Sequence, residues 1–212
     1  MLTLLLNGQI AVFGILLLAI IFSLSLHEYG HARAATWLGD DTARLAGRLT
    51  VNPASHIDPL GLLMVVLVGF GYARPVPFNP RKMHQPWARA AVAAAGPGMN
   101  FLIAVVAVNL LALGAHSTGL DLTREAVMTL TILAQINLLL MLFNLLPLGP
   151  LDGHYIMSWL LPPDLGRRYD YFNARHGTQV FLVLIVLSVV GVPVFRFLSA
   201  FASTIMPYLV IV

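Results

Sequence analysis

The chain has 212 residues, 58% of them hydrophobic and only 10% charged, with a mean hydropathy of +0.84. A soluble domain carries about 25% charged residues, so this is the composition of an integral membrane protein, with length for about four to six spans and none for a separate soluble domain. The net charge of +3 does not indicate nucleic acid, because the basic residues lie between apolar spans in the manner of a cytoplasmic membrane face. The lack of cysteine excludes both a disulfide framework and a thiolate metal site.

Met1 to Gln9 is apolar but short, and without a basic n-region it does not read as a cleavable signal. Ile10 to about Trp37 reads as one helix, nearly all apolar as far as Leu26. Its apolar part covers about 25 Å at 1.5 Å per residue. At its far end stands His27-Glu28-Tyr29-Gly30-His31, the pattern H-E-x-x-H. Histidines four apart share one face of a helix, so His27 and His31 can aim both imidazoles at one metal ion. Glu28, beside them, can accept a proton from a water that the metal activates. Ionisable groups at the end of an apolar span are functional candidates by default. A catalytic zinc takes three protein ligands, so the rest of the chain has to supply one more.

Gly39-Asp40-Asp41 ends this helix. Arg44 to Asp58 is polar and broken by Asn52-Pro53, a surface loop or short strand. Pro59 to Gly71 is apolar but short for a span and suits a re-entrant segment. Tyr72 to Pro80 holds three prolines and predicts an extended strip. Trp87 to Gly114 is the second long span, Ala115 to Glu125 a polar turn, and Ala126 to Leu146 the third span. The chain then breaks at Pro147 to Gly153, and Pro162 to His176 is expected to be a polar loop. Val180 to Val190 resumes an apolar stretch, Gly191-Val192-Pro193 interrupts it, and Phe197 to Val212 is expected as a last helix. The fold class is therefore an all-α polytopic membrane protein with about four to six spanning or embedded helices. A re-entrant or extended segment lies near residues 59–80, and residues 1–212 form one domain.

Arginines and lysines cluster after the first span (Arg33, Arg44, Arg48, Arg74, Arg81, Lys82) and after the third (Arg167, Arg168, Arg175). Between the second and third spans Arg124 is set against Asp121 and Glu125. The positive-inside rule then puts both basic regions in the cytoplasm and the N-terminus outside, provided that 59–71 does not cross. On that topology His27, His31 and Asp152 all arrive at the cytoplasmic end of outside-to-inside spans. An unpaired carboxylate at that depth costs about 2.5–3.5 kcal/mol on insertion scales. Asp152 is thus the candidate third ligand; the other reading of Asp152-Gly153 is a helix-terminating turn.

The chain resembles the site-2 protease family of intramembrane zinc metalloproteases, in its compact prokaryotic branch without PDZ or CBS domains. The resemblance rests on His27-Glu28-Tyr29-Gly30-His31 and on Asn144 to Gly153, which fits that family's N-x-x-P-x-x-x-L-D-G. Asn52 to Pro59, Ala73 to Pro77 and Ala95 to Asn100 support it. It implies His27, His31 and Asp152 as ligands of one zinc ion per chain, and Glu28 as general base. It further implies that Asn144 holds the substrate backbone or developing oxyanion. The implied activity is hydrolysis of peptide bonds in membrane-spanning substrates, expected to be single-span, in the lipid bilayer of a prokaryotic inner membrane with the site toward the cytoplasm. Two departures stand out: Met1 to Gln9 is too short for the helix that precedes the motif in many relatives, and L-D-G-G reads Leu151-Asp152-Gly153-His154.

Because a helical substrate hides its carbonyls, the strip Arg74 to Pro80 is a candidate edge for receiving an extended one. His154 reads as an interfacial histidine, with a supporting or ligating role as the alternative. His56 and Asp58 read as loop braces, and His84, His116 and His176 as solvated. Asn100 and Asn109 read as packing contacts, while Asn137 is expected to face the same polar interior as Asn144. Two other classes compete: a zinc-binding membrane module without protease activity, and a metal transporter. The second needs polar residues through several spans, whereas here they cluster at one end.

Overall fold

A computed structural model describes residues 1–116 and 122–211, apart from the side chain of His116. Part of the expected turn 115–125, with Asp121, lies outside the described residues, as does the expectation for His116. The architecture is all-helical, as the hydropathy pattern requires. A short α1 (Leu2–Leu6) leads into α2 (Ile10–Trp37), which runs unbroken through the H-E-x-x-H residues. It stops where Gly39 takes a φ of +98°, a left-handed turn that costs glycine little. After a short α3 (Thr42–Leu45) comes α4 (Pro59–Val68), started by proline at its first position and capped by the Asp58 carboxylate on Leu60 and Gly61 N–H.

Segment 58–73 is a hairpin closed at its base. Arg74 N–H donates to the His56 carbonyl at 2.7 Å, and Ile57 and Ala73 form an antiparallel bridge. Both ends of the segment therefore lie at one point, while α4 dips back far enough to meet α1. A chain that enters and leaves at one point does not cross, which is the re-entrant geometry expected from its length. The strip behind it is extended as its prolines dictate. Asp40, at the end of α2, accepts hydrogen bonds from Thr42 and from Asn79 N–H and lies 3.7 Å from Lys82. These contacts pin the strip to the catalytic-motif helix.

α5 (Ala88–His116) and α6 (Arg124–Asn144) pack against α2 to form the central bundle. Buried alanines recur where these helices meet, with Ala35 and Ala88 in one cluster beside Met83 and Val92, and Ala104 in another beside Leu138 and, from the C-terminal part of the chain, Ala202. Without a hydrophobic drive inside lipid, close approach of small side chains is what holds such helices together. The large apolar side chains, such as Phe22, Leu102 and Val106, face outward where lipid covers them.

After α7 (Gly153–Leu160) the structure departs from expectation. Pro162 to His176 is not a loop: α8 (Pro163–Phe172) is helical, followed by a π-helical turn Asn173–Gly177 that runs into α9 (Thr178–Val189). Pro163 at the first helical position, Asp164 in the first turn and an Asp164–Arg167 pair one turn apart explain a helix that hydropathy alone did not reveal. The last expected helix is also shorter. α10 (Arg196–Ile205) gives way to a 3-10 turn at Met206, and Asn109 bonds the backbone of Leu209 and Ile211. Among the described residues, four segments are long and apolar enough to cross a membrane: Ile10–Trp37, Ala88–Ala115, Arg124–Asn144 and Pro163–Val189.

Candidate metal centre

His27 and His31 lie one turn apart on α2, and Asp152 immediately precedes α7. The fold brings them together. The two imidazole Nε2 atoms are 3.0 Å apart, and Asp152 Oδ2 lies 3.2 Å from the first and 3.3 Å from the second. A tetrahedral zinc with ligand bonds of about 2.0–2.2 Å spaces its ligand atoms about 3.3 Å apart. The observed triangle has that edge.

The hydrogen-bond network adds a chemical criterion. His27 Nδ1 lies 2.6 Å from Asn100 Oδ1, and His31 Nδ1 lies 2.7 Å from the Val92 carbonyl. Both partners are acceptors, so both Nδ1 atoms carry hydrogen and both Nε2 atoms present lone pairs. Asp152 Oδ2 is buried and has no hydrogen-bond partner of its own. Three acceptors thus face one another in a buried place, an arrangement that a cation satisfies. The residues fit a zinc ion of the two-histidine, one-carboxylate kind.

Two close approaches hold the ligands in place. Gly96 of α5 lies over the histidine pair: a Cβ there would come within 2.4 Å of His31 Nε2 and 2.6 Å of His27 Nε2. Any side chain at 96 would occupy the space between the rings. The loop that carries Asp152 is clamped from behind. Asn173 Oδ1 accepts from Gly149 N–H at 2.7 Å, Tyr169 Oη donates to the Pro147 carbonyl at 2.6 Å, and Gly177 approaches the Gly149 carbonyl so closely that a Cβ would lie 2.8 Å away. The π turn is what brings Asn173 and Gly177 onto the loop, in keeping with the frequent occurrence of such turns at functional sites.

Glu28 is buried beside the triad and lines a cavity of about 350 Å³ together with Asn144, Tyr155 and the strip residues Gly71, Ala73 and Pro75. Asn144 donates one amide hydrogen to the Leu140 carbonyl at 3.0 Å. Phe143 meets Phe70, Phe181 and Phe195 and forms a wall of the same cavity.

The relatives of this chain are now informative. The model for peptidase family M50 matches residues 15–124, which include the H-E-x-x-H residues. The chain belongs to this family, the site-2 proteases. It is 42% identical over 181 residues to YwhC of Bacillus subtilis, covering 81% of this chain and 80% of that protein. It is 28% identical over 186 residues to Rip2 of Mycolicibacterium smegmatis, covering 85% and 68%. Both relatives carry zinc metalloprotease names. No solved structure matches the chain. As a site-2 protease it is a multi-pass membrane zinc metalloprotease, a hydrolase whose substrates are embedded in the bilayer.

The remaining candidate residues fall out plainly. His154 faces Asp170 at 3.4 Å and is not among the clustered donors His27, His31 and Asp152. His56 and Asp58 are braces: His56 Nε2 meets the Thr50 carbonyl at 2.7 Å and Asp58 caps α4. His84 is exposed, and His176 meets Gln179. Asn100, expected to hydrogen-bond across helices as a packing contact, does bond α2 and α6, and the sequence did not show that one of its partners is His27. Gly96 was noticed only within the family-like run Ala95 to Asn100. Asn173 lay in a stretch expected to be loop and carried no signal at all.

Proposed function

We propose that this single-domain site-2 protease hydrolyses peptide bonds of single-span membrane proteins at the cytoplasmic side of a prokaryotic inner membrane. In this reading one zinc per chain is held by His27, His31 and Asp152, with Glu28 as general base and Asn144 as a substrate-holding residue. The observation that carries it is the triangle of two imidazole nitrogens and one carboxylate oxygen beside buried Glu28. Bound zinc supplies Lewis-acid chemistry, lowering the pKa of water to about 7 and polarising a carbonyl.

The chain's own residues do the rest. Glu28 takes a proton from the attacking water and returns it to the leaving amine. Asn144 uses one amide hydrogen on Leu140, and its second is left to donate to the substrate carbonyl. The substrate lies extended along the strip. Backbone groups alternate in direction along an extended chain. Arg74 N–H points to His56, so those of Ala73 turn to the other side, where Ala73 lines the cavity. That edge accepts a substrate strand by backbone pairing.

Orientation follows from charge. The segment 39–87 and the polar half of the fourth span, with Arg167, Arg168 and Arg175, are cytoplasmic, and the N-terminus is outside. The deciding experiment incubates purified protein with candidate single-span proteins, with and without a chelator. Cleavage that the chelator abolishes and zinc restores is the expected result; cleavage indifferent to the chelator would end this reading.

A further inference from the structure

The two histidines of the triad are oriented by different means. His31 Nδ1 faces a backbone carbonyl, that of Val92. A carbonyl accepts and never donates, so the backbone itself settles which nitrogen of His31 bears hydrogen. His27 Nδ1 instead faces the side chain of Asn100. An amide has an acceptor end and a donor end, and if Asn100 turned over it would present N–H to His27 Nδ1. The hydrogen would then move to His27 Nε2, where a metal has to bind.

What prevents the turn is a chain of hydrogen bonds through the core. Asn100 Nδ2 donates to Asn137 Oδ1 at 2.8 Å. Asn137 Nδ2 donates to Ser23 Oγ at 2.8 Å and to the Leu133 carbonyl at 2.8 Å. The Leu133 carbonyl is acceptor-only, so it fixes the direction of Asn137. Asn137, through the short bond, fixes Asn100, which also reaches the Ser23 carbonyl with the same amide nitrogen at a longer 3.5 Å, and Asn100 fixes His27. Asn100, Asn137 and Ser23 are all fully buried. The relay joins α5 and α6 to α2, each contributing at least one member.

We propose that Asn137 and Asn100 are positioning residues that hold His27 in its metal-binding tautomer, with the polarity set by the Leu133 carbonyl three hydrogen bonds from the ring. The inference rests on the zinc reading above and goes beyond it, because Asn137 touches neither metal ligand nor substrate. Outer partners of metal-bound histidines are worth about 10–100-fold in metal affinity. Here that effect is transmitted by direction, not by contact.

The test uses zinc release from the full-length, zinc-loaded protein to a chelator, together with the visible spectrum of the cobalt-substituted protein. Neither needs activity. Asn137→Leu removes the group that orients Asn100 and is expected to release zinc about 10-fold faster with an altered cobalt spectrum. Asn100→Asp has an acceptor at either end and needs no orienting toward His27, most cleanly where Asn137 Oδ1 no longer opposes its second oxygen. In the double variant Asn100→Asp with Asn137→Leu, zinc release returns to near the parental rate. A merely structural role for Asn137 is not repaired by that second change. Asn109→Leu, on the same α5 but bonded to the C-terminal backbone, serves as control and keeps the parental rate. Should Asn137→Leu not be recovered folded, Asn137→Ala is compared in the same two backgrounds.

Parental zinc retention in the Asn137 variants, or a loss that Asn100→Asp leaves in place, overturns the relay. Zinc held by Asp152→Ala as firmly as by the parent overturns the metal site itself, a separate and distinguishable failure.

Discussion

At the scale of single residues, the proposed chemistry rests on four side chains, His27, Glu28, His31 and Asp152, that the fold gathers from two distant stretches. If Glu28 is the general base, Glu28→Gln keeps the zinc, because glutamine is nearly the same shape and residue 28 is not a ligand. Cleavage should fall by about 10²–10⁴-fold, the usual worth of a general base, while substrate remains bound. Zinc content, substrate capture and cleavage on one preparation decide this, and a variant that cleaves at the parental rate rules out the mechanism as written. Asp152→Ala removes one vertex of the triangle formed with His27 and His31. Its zinc content by metal analysis should fall well below parental. Gly96→Ala should do the same without replacing any of the three donors, because the added methyl would lie 2.4 Å from His31 Nε2.

At the scale of elements, two clamps position the site. The π turn Asn173–Gly177 holds the loop that carries Asp152 through Gly149 and Pro147. Asn173→Ala leaves the buried Gly149 N–H without its partner, at a cost of about 1–3 kcal/mol. Hydrogen exchange of residues 147–152 should quicken and zinc release with it, while the His27 and His31 turn of α2 stays protected; unchanged exchange in that loop would show that the clamp is idle. The second clamp is Asp40, which ties the strip to the end of α2. Burial pushes its carboxyl up, but hydrogen bonds from Thr42 and Asn79 and the nearby Lys82 hold it below the usual carboxylate range. A depressed carboxylate stabilises the fold above its unfolded pKa of about 3.9, and that contribution is lost as pH falls through the lower folded value. Thermal unfolding of the parent should therefore lose stability with acid through that range. Asp40→Asn lacks that increment, and an identical acid dependence in both proteins would count against the clamp.

At the scale of the whole molecule, the hairpin closed by Ile57 and Ala73 forces residues 39–87 to begin and end at one face of the bundle. The chain has no cysteine of its own, so single cysteines introduced at Arg48 and Lys82 report topology cleanly. Both should react with an impermeant reagent from the same, cytoplasmic side. Reaction from opposite sides would mean that 59–71 crosses and that the bundle is assembled differently.

Much of this was legible in the sequence, because it depends on local properties. Hydropathy over a window identifies spans, so α2, α5 and α6 were found to within a few residues. Four-residue spacing on a helix places His27 and His31 together whatever surrounds them. Charge asymmetry matched the level of Asp152 to theirs before any contact was known. Helix α8 was hidden because its polar composition imitates a loop, and its helicity comes from a proline start and paired charges. The remaining features exist only through contacts between distant residues: Asn100 meets His27 across 73 positions, Asn137 meets Ser23 across 114, and Asn173 meets Gly149 across 24. The sequence by itself determined which residues can bind a metal and at what depth they lie, since helix period and transfer free energy are properties of the segment alone. Tertiary structure alone decided which nitrogen each histidine offers and what steadies Asp152, since hydrogen-bond direction is set by the partner that packing supplies.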